Sequence, residues 1–491
     1  MKPLAALAAL ILPASATNVI FIMADDLGYM DVGFNNPESF YDTPRLDAMA
    51  GESVRFTAGY AACPVCSPTR SSILTGQYPA RTRNTDYFGG PNQFFGRIPE
   101  DYDPEKDGKF KHHAKRPVRP APYLGELAAS HTTLAEAFKK AGYATMHAGK
   151  WHLGQKGSYP EDHGFDVNIA GNHAGGPYGG KKYFSPYGNP NLKDGPDGEH
   201  LPDRLASEVG KFIGQNKDGK FFVYLPFYSV HTPLIGRDDL IEKYQAKRKK
   251  LGLEPEFEPE APRKNRTVQE HAVYAAMVEA MDAAIGKVLD ALDEHGVADD
   301  TIVIFFSDNG GLSTSEGSPT SNLPYRAGKG WMYEGGIREP LIVRWPKGAK
   351  GGTTSDVPVT STDFYPTLME ACGLPLQPDQ HKDGKSLLAI LKDPTAEFER
   401  GPIFWHYPHW GNQGGIPSAA VRDGDWKLIE HYWKKGLELY NLADDPSEET
   451  NLADQNPDKV KALQKLLDAF REDTNALLPS KNPDSKDFDK W

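Results

Sequence analysis

Cysteine is scarce. Three in 491 residues are too few for a disulfide framework, so at most one bridge can form. Long apolar runs are scarcer. The run Leu4 to Leu12 is too short to cross roughly 30 Å of hydrocarbon, and no other stretch approaches about 20 uninterrupted apolar residues, which argues against a membrane-spanning helix and a membrane partner. Positive charge is in deficit: 55 Lys and Arg face 67 Asp and Glu, a formal net charge of −12. That balance argues against nucleic acid or an anionic membrane as partner, so any anion must be captured locally. The most basic stretch, Lys109 to Arg119, sits among prolines without helical amphipathicity and reads as a solvated loop.

What the chain does have starts with an export signal. Lys2, the apolar run to Leu12 and the small-x-small site Ala14-Ser15-Ala16 predict cleavage after Ala16 and a periplasmic or secreted product. Downstream, short apolar runs end abruptly in polar residues: Val19 to Met23 before Asp25-Asp26, Tyr143 onward to Lys150 and His152, Phe221 onward to His231, and Ile302 to Phe306 before Asp308-Asn309. Near-continuous β-branched and aromatic runs suit strands buried on both faces, as in a parallel sheet.

Helical patterns alternate with these strands. Thr132 or Thr133 caps one that stops at Gly142, and Val268 to Leu292 carries Val273, Met277, Met281, Ile285 (or Ala284), Val288 and Leu292 on one face before Gly296. The fold class expected is α/β, a mostly parallel central sheet with helices on both faces, plus a smaller C-terminal α+β domain with an antiparallel sheet. The expected division is a signal peptide at 1–16, a catalytic domain at 17–395 and a C-terminal subdomain at 396–491. The last contains a helix after Pro457 with Val460, Leu463, Leu467 and Phe470 on one face. Sites in such sheets lie beyond the carboxyl ends of the strands, so the four polar clusters are expected to converge. The Pro- and Gly-rich excursion Thr85 to Ser130 is a candidate rim.

Two adjacent carboxylates, Asp25 and Asp26, at one strand end are costly unless they share a cation. Asp308 and Asn309 end another strand, where Gly310 lets the chain turn away. An all-oxygen set points to calcium or magnesium rather than zinc; either pair alone is equally a turn or a helix cap. Cys63 and Cys66 are half a zinc site, a redox pair or neither, and Cys372 supplies no second pair. In "CSPTRSSILTG" Ser67 is a natural N-cap, with Pro68 first in a helix stopped by Gly76. Cys66 then precedes a helix N-terminus, where a thiol is expected to be unusually acidic.

"CSPTRSSILTGQYPAR", Cys66 to Arg81, resembles the C-x-P-x-R…TG signature of the type I sulfatases of the alkaline phosphatase superfamily. Cys63 does not fit it, because a proline would have to fall at Val65. The resemblance extends through "NVIFIMADDLGYMDVG", "GKWHLG", "HTP", "SDNGG", "GKGWMYEGGIREP" and "ELYNLADDPSEETNL", which spans most of the chain. It implies that Cys66 is oxidised to formylglycine by a formylglycine-generating or anaerobic sulfatase-maturating enzyme. One hydroxyl of the hydrated aldehyde would attack sulfur, and the second would expel sulfate.

By the same resemblance Asp25, Asp26, Asp308 and Asn309, with the modified Cys66, are calcium ligands, and Arg70 holds the hydrated aldehyde. Lys150 bridges diol and sulfate, and His152 takes the diol proton. His231 and Lys329 bind sulfate near the departing oxygen, either one as general acid, and Asp308 also serves as base.

The implied substrate is a sulfated saccharide, as in bacterial carbohydrate sulfatases acting on algal galactans or glycosaminoglycans, with galactose-type sugars favoured. In "FWHYPHWGNQGG" His406, His409 and Trp410 are the expected sugar-facing rim, since aromatic faces stack on sugars and histidines bond hydroxyls; His173 in "GNHAGGPYGG" is a second rim candidate. Asn265-Arg266-Thr267 is a formal glycosylation sequon, relevant only in a eukaryotic host. The alternatives are an arylsulfatase, a phosphonate or phosphodiester hydrolase of the same superfamily, and a calcium-dependent glycan-binding protein with an unmodified Cys66.

Overall fold

Every residue of Asn18–Ala24 (β1) is buried, and its side chains alternate between two cores. Val19, Phe21 and Met23 enter one, and Ile20, Ile22 and Ala24 the other. That is the signature of a strand covered on both faces. The computed structural model of the protein describes residues 18–90, 92–103, 116–433, 436–482 and 485. The export signal read at 1–16 and the basic segment through residue 115 lie outside the described residues.

β1 belongs to a nine-stranded sheet with Val54–Tyr60 (β2), Ala144–Ala148 (β3), Val167–Ile169 (β4), Phe221–Pro226 (β5), Thr301–Ser307 (β6), Arg338–Arg344 (β7), Thr353–Ser355 (β8) and Val359–Thr360 (β9). The order is β8-β2-β7-β6-β1-β5-β3-β4, with β9 also beside β2. Only β7 runs antiparallel to its neighbours. The parallel register puts Ala24 opposite Ser307, and Met23 opposite Pro226. The carboxyl ends of β1, β5 and β6 therefore lie side by side, and the polar residues that follow them gather at one edge.

Helices cover both faces. Cys66–Thr75 (α1) and Leu134–Lys140 (α2) pack on one, through Ile73, Leu74, Leu134 and Phe138. Leu201–Asn216 (α3) and Ala272–Glu294 (α4) pack on the other. Thr133 caps α2 in a capping box with Glu136. The apolar face expected of α4 is buried at Met277, Met281, Ala284, Ile285, Val288 and Leu292, although the helix opens at Ala272 rather than Val268, with His271 as its cap. α1 begins at Cys66, with Val65 in the capping position, two residues earlier than the Ser67-Pro68 pair predicts. All ten of its residues are buried. It ends at Gly76, φ +67°, where a Cβ would stand 2.4 Å from the His381 Cβ.

Strands Ile403–Tyr407 (β10), Ser418–Asp423 (β11), Trp426–His431 (β12) and Leu437–Asn441 (β13) form an antiparallel sheet in sequential order. Helix Pro457–Asp473 (α5) covers its outer face with Val460, Leu463 and Leu467 against Ala419, Val421, Leu428 and Leu439. The inner face, with Trp405, Tyr407, Ala420, Ile429 and Tyr440, packs on Tyr60, Val65, Trp331 and Tyr333. Asn265 of the sequon is buried and its amide donates to Glu258, which leaves no room for a glycan. Among the described residues no helix is long and apolar enough to cross a membrane.

Candidate active site

The edge where β1, β5 and β6 end holds Asp25, Asp26, Asp308 and Asn309, all with no exposed surface. Asp26 adopts φ +64°, a left-handed conformation that costs a non-glycine residue energy. Permanent cations answer these carboxylates. Arg70 Nε and Nη2 both donate to Asp308 Oδ2, at 3.0 and 2.6 Å, while Nη1 donates to the Lys150 carbonyl at 3.0 Å. Lys150 Nζ donates to Asp25 Oδ2 at 2.7 Å, and Lys329 Nζ lies 2.6 Å from Asp26 Oδ1.

Among the described residues, three oxygens in this cluster are buried without a hydrogen bond: Asp25 Oδ1, Asp26 Oδ2 and Asn309 Oδ1. Buried acceptors without donors are rare, and each costs about 1–3 kcal/mol. A hard divalent cation would give these oxygens a partner, so the donor set fits calcium or magnesium. Donor atoms of Asp25, Asp26 and His231 lie within 4.8 Å of one another. Asp308, also expected among the ligands, accepts from Arg70 at Oδ2 and from the Asp26 amide at Oδ1, 3.2 Å away.

Cys66 stands at the first turn of α1, its Sγ 3.4 Å from His152 Nδ1. Burial pushes the thiol pKa up, outweighing Lys150 and Lys329, so the acidity expected from the helix terminus is not realised. His152 is held well below the usual imidazole range by burial, then by Lys150 and Arg70. Its Nε2 lies 3.2 Å from the Phe88 carbonyl, a partner that only an N–H satisfies, which assigns the proton to Nε2 and leaves Nδ1 toward Cys66. Ser67 spends its hydroxyl proton on the His152 carbonyl at 2.7 Å and accepts from the Phe88 amide at 3.0 Å.

His231 follows β5. Its Nδ1 sits 2.7 Å from the Thr232 carbonyl, and its Nε2 3.8 Å from Asp26 Oδ2. Burial, then Lys329, lowers its pKa to about 3 despite Asp26. Burial also opposes the charge on Lys329, but Asp26, Cys66, Glu316 and Asp25 together outweigh it and raise that pKa well above the usual range. At neutral pH Lys329 is therefore the protonated member of this pair.

Cys66, His152, His231 and Lys329 line one cavity of about 640 Å³. His173 lines it too, its ring packed on Phe88. The excursion after Thr85 contributes Tyr87, Phe88 and Gly89. The other three rim residues require correction. His406 is buried between the Tyr432 hydroxyl (2.6 Å) and the Leu477 carbonyl (3.0 Å). His409 packs edge-on to Tyr123 and Tyr407 and reaches the Thr85 hydroxyl at 2.8 Å. The Trp410 indole donates to the Val118 carbonyl at 2.9 Å. None of the three lines the cavity. In their place the cavity presents Tyr178, Glu316, Asn412 and Gln413. Tyr178 falls in the glycine-rich stretch around His173; Glu316 lies in a loop of small polar residues with no pattern to mark it.

Paired carboxylates, buried cations and a helix-opening cysteine at the carboxyl end of a mostly parallel sheet define a hydrolase of the alkaline phosphatase fold, and solved structures of that fold superpose on it. Ps i-CgsB matches with a TM-score of 0.74 at 26% identity, over 96% of this chain and 94% of that one; its complex with k-i-k-neocarrahexaose matches equally well. Residues 17–374 match the family model "Sulfatase", and residues 327–474 match "N-sulphoglucosamine sulphohydrolase, C-terminal". A sulfatase of Formosa agariphila is 32% identical, covering 90% of this chain and 85% of its own. Human N-acetylgalactosamine-6-sulfatase is 28% identical, over 94% and 86%. The chain belongs to the sulfatase family and is a sulfuric ester hydrolase.

Proposed function

We propose that this enzyme is an exported sulfatase that hydrolyses sulfate esters of galactose-type sugars in algal polysaccharides or glycosaminoglycans, using formylglycine at position 66 and calcium. One observation carries the reading: three buried, unbonded oxygens, on Asp25, Asp26 and Asn309, lie in the same cluster of charges as Cys66. Support for a sugar comes from relatives, an N-acetylgalactosamine-6-sulfatase and a protein solved with a neocarrahexaose. Residues 17–395 form the catalytic unit in this reading, and 396–491 the C-terminal one. Maturation falls to a formylglycine-generating or anaerobic sulfatase-maturating enzyme.

Calcium held by Asp25, Asp26, Asp308 and Asn309, with the modified group at position 66, would supply Lewis-acid polarisation of an ester oxygen. Oxidised Cys66 would supply an aldehyde whose hydrate has one hydroxyl to attack sulfur and another to release sulfate. The chain's own residues manage charge and protons. Lys329, protonated and on the cavity wall, is the proton donor for the departing alcohol, while His231, neutral, contributes orientation through Nε2. His152 Nδ1, 3.4 Å from Sγ, accepts a proton from the group at position 66. Lys150 and Arg70 supply fixed positive charge. A lysine about 4 Å from a sulfate contributes on the order of 4 kcal/mol at an effective dielectric of 20, whereas surface charges beyond about 10 Å are screened. Local cations thus outweigh the net charge of −12.

Mass spectrometry of the tryptic peptide containing Cys66, from protein matured in its native host, is the test. The expected mass is that of the aldehyde, accompanied by sulfate release from a panel of sulfated mono- and disaccharides. An unmodified thiol in active protein would refute the proposal.

A further inference from the structure

Glu316 stands in the wall of the cavity that holds Cys66, His231 and Lys329. Its backbone lies at φ +54°, a conformation that a non-glycine side chain keeps only when its surroundings impose it. Three uncharged donors fix the carboxylate: Thr232 Oγ1 at 3.3 Å, Asn412 Nδ2 at 3.2 Å and Gln413 Nε2 at 2.8 Å. Gln413 is itself buried, and its main-chain carbonyl accepts from the Thr314 hydroxyl (3.0 Å) and the Trp331 indole (3.2 Å). The three donors hold the carboxylate rigidly, within electrostatic reach of the Lys329 ammonium across the cavity wall. Thr232 is also the residue whose carbonyl fixes His231. Glu316 therefore borders the His231 and Lys329 end of the cavity, where the alcohol half of an ester would leave.

We propose that Glu316 is a specificity-determining residue, accepting hydrogen bonds from ring hydroxyls of the sugar that bears the sulfate and barring a second anionic group from that ring. The proposal rests on the sulfatase reading of the cavity and adds the substrate class: a neutral, monosulfated pyranose. Hydroxyls donating to a carboxylate make hydrogen bonds roughly twice as strong as neutral ones. A second sulfate or a uronic carboxylate in the same place meets like charge in a partly desolvated wall and brings no proton to donate. Lys182, elsewhere on the cavity wall, can face an anion on a neighbouring sugar, so the exclusion is local to one ring.

The test compares matured wild-type enzyme with Glu316→Gln and Glu316→Asp on monosulfated galactosides, their disulfated counterparts and their monodeoxy analogues. Wild type is expected to favour the monosulfated member by about 10-fold or more in kcat/KM. Glu316→Gln is expected to lose about 10-fold on that member, mainly through KM, and to narrow the preference. Removing the hydroxyl that contacts Glu316 should cost wild type about 10-fold and Glu316→Gln little, a coupling that a structural role would not produce. Glu316→Asp keeps the charge, so it should keep the anion discrimination while weakening the hydroxyl contact. An unchanged mono-to-disulfated ratio and an unchanged deoxy penalty in Glu316→Gln would overturn the proposal while sulfate release leaves the sulfatase reading standing. Absence of sulfate release from every saccharide by protein carrying the aldehyde would overturn both.

Discussion

Arg70 donates from Nε and Nη2 to the same oxygen of Asp308, across 238 residues of sequence and with both side chains fully buried. A second contact, 3.6 Å to Asp25, ties the same guanidinium to β1. The pair links the helix that carries Cys66 to the ends of β1 and β6.

Truncating one partner leaves the other as an uncompensated buried charge. Arg70→Ala is expected to cost about 3–5 kcal/mol of stability in metal-free protein, and Asp308→Ala a similar amount. Urea unfolding in EDTA measures it. The double replacement Arg70→Met with Asp308→Leu should recover part of the loss, because no lone charge remains. A loss below about 1 kcal/mol for either single variant would contradict the pairing.

Calcium should stabilise the folded chain through the unbonded oxygens. At 100 times its dissociation constant the gain is about 2.7 kcal/mol, seen as a higher Tm after adding calcium to EDTA-treated protein. Asn309→Ala removes one ligand oxygen without leaving a stranded charge, so it should keep the apo stability within about 1 kcal/mol of wild type and lose most of the calcium response. Calorimetric titration of both proteins decides the point.

Cys66 carries the nucleophile in the proposed chemistry but little of the fold. Replacing its buried side chain by alanine removes one sulfur, so Cys66→Ala should stay folded, with a loss under about 2 kcal/mol. Sulfate release should drop to background. Cys66→Ser should be equally unable to turn over, since its single hydroxyl offers none to expel sulfate. Thermal unfolding and ion chromatography of released sulfate check the two halves separately.

His406 gives a pH dependence far from the metal cluster. Burial lowers its folded pKa to about 3, more than the Leu477 carbonyl can restore. The unfolded chain takes up a proton near pH 6.5 while the native chain does not. This contribution is fully present above pH 6.5 and is lost as pH falls toward 3, at about 1.4 kcal/mol per pH unit, on the order of 5 kcal/mol in all. His406→Asn removes the titration. Its stability deficit at pH 7 should shrink steadily at pH 6, 5 and 4 in denaturant melts, and a constant deficit would disprove the neutral buried imidazole.

The strands, the helix faces and the convergence of polar residues were legible because they are local. Val19 to Met23 can only be a strand buried on both sides, Thr133 and Glu136 form a cap within four residues, and Asp25-Asp26 must sit where such a strand stops. Glu316 was not legible. Its neighbours in sequence are small and polar, and its position depends on Asn412 and Gln413, close to one hundred residues later.

Sequence by itself determined the layered α/β sheet, the C-terminal antiparallel sheet under α5, and the cluster of charges at the strand ends, since each follows from periodicity, caps and adjacent residue types. Tertiary structure alone decided which aromatic residues face the cavity: His406, His409 and Trp410 are buried because Tyr432, Leu477, Thr85 and Val118, distant in sequence, close over them. It also decided the protonation of Cys66, where burial overrides the helix terminus. Desolvation depends on everything packed around a group, and no short stretch of chain contains that information.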